Sequence, residues 1–341
     1  MPDHVRRATP DDAEAVAALI GEVFPANPKA DPAVLRWQYW DNPFGAPSSW
    51  VVEDAGRLVA HYTAFALPGL MWGEPVTFLK SADAATLESH RGQGIFPDLV
   101  ERVTADATER GIPVTLYSPS NPSSASPLRR VGMVDVADVP VRVAPRDIGT
   151  LAGRIRGGRS MARPVLPLVR RWMPATAPGL VVDVVDRIDD DELDALWSRH
   201  RPDTGVDHSA AWWRWRYARS GTDYTLVTVR RRGTLAGAAA AVRRDILDAP
   251  FAFVLDVVAD TDNGGRSAIR GIAEAMPGVA GVAGIALPRT DVARHLAAAR
   301  LVRLPKRVLP KAFTFGVLPT SGDRNVVTAP WRLTWCDLDH L

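Results

Sequence analysis

The sequence predicts an α/β (α+β) protein made of two similar units. Three features predict it. Strand-type and helix-type periodicities alternate along the chain, with a hairpin early in each half. A glycine-bounded loop, Arg91-Gly92-Gln93-Gly94-Ile95-Phe96, joins a β-type run to an amphipathic helix. The second half then loosely repeats the order of the first. A length of 341 residues suits two domains better than one.

A strand is expected at 5–8. Thr9 caps the next helix, with Pro10 at its first position, Asp11 and Asp12 in its first turn, and Val16, Leu19, Ile20 and Val23 as its buried stripe. A short helix over 32–39 carries Leu35, Trp37 and Tyr39. Residues 49–53 and 57–66 read as a hairpin over Asp54-Ala55-Gly56, followed by strands at 76–80 and 84–88. The helix after the glycine loop runs over about 94–110, with Ile95, Leu99, Val103 and Ala107 on one face and Gly111 ending it. Pro97 is tolerated in its first turn, where N–H groups lack intrahelical partners. An apolar strand follows at 114–117.

In the second half, Asp189 caps a helix with Leu193, Leu196 and Trp197. Trp215-Arg216-Tyr217 mirrors Trp37-Gln38-Tyr39, and strands at 225–230 and 235–242 around Gly233 mirror the hairpin. After a strand at 251–258 the chain reads Thr261-Asp262-Asn263-Gly264-Gly265-Arg266-Ser267, without the Gly-x-Gly pair. Between the halves, 144–179 holds seven arginines and one acid, which reads as a solvated connection with a short helix near 166–172. The other reading is a surface for acidic partners or anionic lipid. The expected domains are 1–145 and 180–341, joined by a linker at 146–179.

Composition excludes several classes. With 41 basic against 39 acidic residues, nucleic acid is not the expected partner. No apolar run is long enough to span a membrane, and the charged N-terminus is not a signal peptide. One cysteine, Cys336, allows no intrachain disulfide and fits a cytoplasmic setting. No metal site is expected. Trp37, Trp40, Trp212, Trp213 and Trp215 read mainly as packing, with an acceptor groove as the alternative.

Two glycines around one residue turn the backbone so that N–H groups point outward, and a helix start adds free donors and the positive dipole end. Arg91 to Phe96 therefore suits a phosphate or pyrophosphate. A dinucleotide loop would need a third glycine where Pro97 stands, and an ATP-type loop would need Gly-Lys-Ser/Thr; neither is present.

The stretch Thr86-Leu87-Glu88-Ser89-His90-Arg91-Gly92-Gln93-Gly94-Ile95 resembles the acetyl-CoA signature of the GNAT N-acyltransferase superfamily, Gln/Arg-x-x-Gly-x-Gly/Ala between a strand and a helix. The resemblance covers about residues 4–143, including Asn121 and Leu128-Arg129-Arg130-Val131-Gly132-Met133, which is similar to the family's Asn…Tyr-x-x-x-Gly-Phe segment. The second half resembles a degenerate unit of a tandem member. Ser89 stands where the signature begins with Gln or Arg, and Leu128 where many members carry the tyrosine that protonates the leaving thiolate.

The resemblance implies two units, each with a mixed, mostly antiparallel sheet flanked by helices. It implies acetyl-CoA or another acyl-CoA as cofactor and direct transfer to a small-molecule amine. Arg91, Gly92, Gln93, Gly94, Ile95, Phe96 and Asn121 would hold the cofactor. Ala85, Thr86 and Leu87 would form the strand whose N–H polarises the thioester carbonyl. Asp83 is the expected base, with Glu88 and His61 as alternatives. His61 also reads as a hydrogen-bonded core histidine, and Lys80 and Glu53 as strand-edge charges. Tyr117, Ser118 and Ser120 are candidates for the role vacated at Leu128. The C-terminus, 331–341, reads as a tail packed by Trp331 and Trp335, although some related enzymes use a terminal carboxylate as base. A CoA-binding protein without transferase activity is the alternative function, with the second unit as an interaction or homodimerisation surface.

Overall fold

A computed structural model describes residues 4–25, 27, 29–118, 122–147, 172–218, 221–246, 249–305, 313–320 and 322–338. The first-half strands are β1 (His4–Arg7), β2 (Ser48–Asp54), β3 (Arg57–Met71), β4 (Glu74–Thr86), β5 (Val114–Tyr117), β6 (Val134–Asp138) and β7 (Val141–Pro145). Those that follow are β8 (Leu180–Val185), β9 (Thr204–Val206), β10 (Tyr224–Arg231), β11 (Thr234–Ile246), β12 (Ala249–Ala259), β13 (Gly281–Ile285), β14 (Val302–Arg303) and β15 (Thr314–Pro319). The helices are α1 (Ala13–Val23), α2 (Pro32–Leu35), α3 (Ile95–Glu109), α4 (Pro122–Arg130), α5 (Asp190–Ser198), α6 (Ala210–Tyr217), α7 (Asp262–Ala275) and α8 (Asp291–Ala298).

Along a seven-strand path the two sheets correspond, the first also carrying β9 beside β3. One runs β1-β2-β3-β4-β5-β15-β6 and the other β8-β10-β11-β12-β13-β7-β14. In each, the first four strands pair antiparallel, the fourth and fifth pair parallel, and the last two joints are antiparallel again. This is the mixed, mostly antiparallel architecture expected.

The sixth position of each sheet is filled from the other half of the sequence. β7 leaves the first sheet and pairs with β13, while β15 pairs with β5 and β6. The two-residue link Val139-Pro140 explains the departure. Proline fixes its own φ, lacks a donor and biases the preceding residue to extended backbone, so the chain runs on instead of reversing into a hairpin. The compact units are therefore discontinuous. Unit 1 gathers the described residues of Met1–Asp138, Asp203–Asp207 and Lys311–Pro330, and unit 2 the remainder. The expected continuous boundaries at 145 and 180 differ from this division for that reason.

Most local expectations match. Asp12 completes a capping box with Thr9 in a short 3-10 turn before α1, and the hydrogen bond from Arg6 holds its carboxyl down at about 2. Ile95, Leu99, Val103 and Ala107 of α3 are all buried. Burying a leucine or valine there contributes about 1.5–3 kcal/mol relative to exposure. The expected 32–39 helix is α2 continued by a π turn, Arg36–Trp40. Strands 76–80 and 84–88 are one strand, β4, bulged where Tyr62 stands opposite both Asp83 and Ala84. Trp212, Trp213 and Trp215 are buried, in line with packing. The proposed helix near 166–172 falls almost wholly outside the described residues. No helix among the described residues is long and apolar enough to cross a membrane.

Candidate active site

The site is built where β4 and β5 part. They pair only at Leu79↔Thr115 and Lys80↔Leu116. Beyond Lys80, β4 continues along β3 as far as Thr86, so its other edge is left open. The Leu87 N–H donates to Val59 O at 2.9 Å, on the β3 side. Backbone groups alternate in direction along a strand, so the Thr86 N–H and C=O face the opposite, open side. Arg91 Nε confirms that direction by donating to Thr86 O at 3.1 Å. Of Ala85, Thr86 and Leu87, Thr86 is thus the residue whose N–H can meet a carbonyl in the gap.

The glycine loop closes one end of this gap. Gly92 and Gly94 have φ of +76° and +80°, the left-handed region that favours glycine. A Cβ at either would meet nothing within 4 Å, so the space before the loop is open. Gly94 is the N-cap of α3 and no side chain caps this helix start. Its first N–H groups are therefore available to an anion. Gln93 Nε2 braces the turn by donating to Ser89 O at 3.2 Å. His90 adds a support that the sequence did not suggest, with Nε2 2.9 Å from Asp54 Oδ2 and Nδ1 2.9 Å from Ser89 Oγ.

Beneath the loop lies a cluster of hydroxyls. Phe96, in the first turn of α3, packs edge-on against Tyr62 at a centroid distance of 5.3 Å. Tyr62 OH is 2.8 Å from Ser81 Oγ, and burial pushes the Tyr62 phenol up to about 12. Tyr117, at the end of β5, is 1% exposed and its phenol faces that of Tyr62. Burial, together with Tyr62, pushes its phenol well above the ordinary value.

Ser118 receives a hydrogen bond from Lys80 Nζ at 2.8 Å, and the same ammonium donates to Ser81 O at 2.9 Å. Lys80 is 3% exposed. It is a buried cation at the fork of β4 and β5, and the strand-edge reading is corrected. Glu53 does keep a peripheral role, receiving both Arg6 Nε and Nη2.

The expected bases are less free. Asp83 has φ of +51°, its carboxylate accepts from Lys29 Nζ at 3.1 Å and from Tyr39 OH, and its carbonyl faces His61 Nδ1 at 3.0 Å. That carbonyl can only accept, so His61 carries its proton on Nδ1 and offers Nε2 to Ser49 Oγ at 3.2 Å. Burial pushes the His61 pKa down, against the Asp83 bond. It is a neutral core histidine in this environment. Glu88 is exposed. Asn121 and Ser120 lie outside the described residues, as does the terminal carboxylate of Leu341. Leu128 is buried on α4.

A family model described as an acetyltransferase (GNAT) domain matches residues 4–132. Over these residues, less than half of the chain, the sequence matches that family. No curated protein matches the sequence. Solved structures share the fold across almost the whole chain. A GCN5-related N-acetyltransferase from Anabaena variabilis matches with a TM-score of 0.63 at 12% identity, over 93% of this chain and 72% of that one. N-myristoyltransferase of Saccharomyces cerevisiae, with bound myristoyl-CoA, matches at 0.62 and 12%, over 92% and 82%. Eis1 from Mycobacterium abscessus matches at 0.57 and 15%, over 93% and 73%.

Beyond the GNAT match, unit 2 has closed the equivalent of the loop. Thr261 caps α7 with its own side chain, accepting from Gly264 N at 3.1 Å, and Asp262 occupies the first turn. Gly264 and Gly265 are buried, and a Cβ on Gly265 would lie 2.4 Å from the His295 ring. An acid at a packed helix start repels phosphate where unit 1 offers open N–H groups.

Among the described residues, one His, Cys and Asp group lies close enough to hold a metal: His208, Cys336 and Asp337, with ligand atoms within 4.8 Å of one another. Those atoms already serve each other. His208 Nε2 is 2.8 Å from Asp337 Oδ1 and Nδ1 2.7 Å from Asp256 Oδ2, while Trp197 and Trp212 stack on the ring. Arg332 completes the network through Asp291 and Val257 O. It ties the buried segment 331–338 into unit 2, as the packed-tail reading expects.

Proposed function

We propose that this protein is an acyl-CoA-dependent N-acyltransferase that moves an acetyl group to a small-molecule amine. The observation that carries the reading is the adjacency of an open, uncapped glycine turn and a strand gap with an outward Thr86 N–H. Arg91, Gly92, Gln93, Gly94, Ile95 and Phe96 would hold the pyrophosphate of acyl-CoA. Ala85, Thr86 and Leu87 would run beside its arm, and Asn121 is a further candidate to hold it. Bound there, the cofactor supplies an activated acyl thioester.

The protein's own groups then divide the work. The Thr86 N–H polarises the acyl oxygen from a fixed direction, at no cost of reorganisation. Tyr117 donates a hydrogen bond toward the departing sulfur. A phenol held so far above 10 is a weaker acid than an ordinary thiol at about 8.5, so Tyr117 stabilises the thiolate and the amine's own proton balances the products. Ser118, with the Lys80 ammonium beside it, is the second group suited to that role. The reading places the enzyme in the cytoplasm, consistent with the free, buried Cys336, with unit 2 as a surface for homodimerisation.

Leu128 in place of the tyrosine favours a second reading, a CoA-binding protein without turnover. Thiol release from acetyl-CoA separates the two. The transferase reading predicts amine-dependent release with at least one member of a panel of amino sugars, amino acids, polyamines and aminoglycosides. Binding of acetyl-CoA with no release across the panel supports the binder instead.

A further inference from the structure

We infer that Asp83 is a positioning residue: the clamp of Lys29 and Tyr39 on its carboxylate fixes the β4 bulge and thereby the direction of the Thr86 N–H. This rests on the acyl-CoA reading of the site. Asp83 takes a left-handed φ of +51°, a strained conformation for an L-residue that the surroundings must hold. Three groups do so. Lys29 Nζ and Tyr39 OH donate to the carboxylate, and His61 Nδ1 donates to the carbonyl.

The clamp is itself held. The Tyr39 ring stacks on His61 and on Phe65 at centroid distances of 6.1 and 6.3 Å. Its segment is the π turn that follows α2, which presents Tyr39 and Gln38 inward. A bulge shifts by one residue which strand positions face the neighbour. Without it, Thr86 would turn its N–H toward β3 and Leu87 would turn its own into the gap. Holding Asp83 therefore selects which backbone donor meets the acyl oxygen.

Unit 2 supplies an independent comparison. The matching strand pair, β11 and β12, carries a bulge between Val254 and Asp256, so Asp256 follows the extra residue. Tyr217, the counterpart of Tyr39 in the repeat, is buried with Cys336 and Asp256 beside its phenol. A cation again faces the carboxylate, there His208 at 2.7 Å. Unit 2 has closed its phosphate loop but keeps a bulge at this strand pair, with an aspartate directly after the extra residue, a buried tyrosine near it and a cation beside its carboxylate. A catalytic base would have no reason to persist there; a device that sets a strand bulge would.

The test compares Asp83→Asn, Lys29→Met and Tyr39→Phe by calorimetric titration with acetyl-CoA and with CoA. Asparagine tolerates a positive φ and Tyr39→Phe removes a single hydroxyl, so folding is preserved, as an unchanged melting temperature without ligand would verify. Positioning predicts a loss of about tenfold in acetyl-CoA affinity, the scale of one oriented hydrogen bond, with CoA affinity within about threefold of wild type, because CoA lacks the acyl oxygen. All three variants should show it, and combining Asp83→Asn with Tyr39→Phe should add little. Unchanged acetyl-CoA affinity in Asp83→Asn and Tyr39→Phe overturns the proposal, as does an equal loss for both ligands. If wild type binds neither ligand, the acyl-CoA reading itself fails, which is a distinct result.

Discussion

Replacing Gly94 by Asp is expected to abolish the thermal stabilisation that acetyl-CoA confers. Two effects combine. Gly94 sits at φ +80° with open space beyond its Cα, so any side chain there projects into the volume reserved for the anion. A carboxylate then places a negative charge at the uncapped start of α3, where the pyrophosphate would lie. Aspartate is among the residues that tolerate left-handed backbone, so the fold should survive with a cost of about 1 kcal/mol. For wild type at ligand concentrations near 100 times Kd, binding stabilises by about 2.7 kcal/mol, a rise of several degrees in melting temperature. The variant should show no rise, and its affinity should fall by about 100-fold or more. Differential scanning fluorimetry with and without acetyl-CoA measures this. A wild-type-sized shift in Gly94→Asp would remove the loop from the binding site.

His208→Ala is expected to be the most destabilising single change in unit 2, by about 3–5 kcal/mol. The imidazole is 1% exposed and stands between Asp256 and Asp337. Burial opposes its charge, but the two carboxylates outweigh burial and raise its pKa well above the ordinary value. Removing it leaves a cavity beneath Trp197 and Trp212 in which Asp337 loses its cation and Asp256 keeps only Arg332, at 3.5 Å. The pH dependence has a definite sign. A group whose folded pKa is raised contributes fully below its unfolded value, near 6.5, and loses that contribution as pH rises through the folded value. The gap in stability between wild type and His208→Ala should therefore be constant in mildly acid solution and narrow at alkaline pH. Asp337 behaves oppositely: although burial opposes it, His208 lowers its pKa, so its contribution is present above about 3.9 and fades in stronger acid. Urea unfolding of wild type and variant across pH tests both slopes; a gap that widens with alkali would show that His208 is not held as the cation.

How much was legible in the sequence follows from the range of each interaction. The glycine loop, the stripe of α3 and the capping of α1 are local patterns, and each was readable from spacing alone. The exchange of β7 and β15 was not, because strand pairing is set by distant partners. The bulge at Asp83 split one strand into two apparent ones, since a single extra residue breaks a period of two. Lys80 reads as exposed in any composition-based view. Its burial depends on Ser118, 38 positions away. The His208 network was invisible for the same reason, since Asp337 lies 129 residues downstream. The glycine loop was legible because left-handed backbone advertises itself through glycine. Side chains carry no such mark: Asp83 precedes the expected strand segment, yet its carboxylate is engaged by Lys29 and Tyr39.

The central claim is one acyl-CoA site per chain, in unit 1, with its counterpart in unit 2 closed by Thr261, Asp262 and His295. Isothermal titration of acetyl-CoA into the purified chain tests it most directly. The expected result is one equivalent bound per chain, with no binding by Gly94→Asp. Two equivalents, or one equivalent retained in that variant, would contradict it.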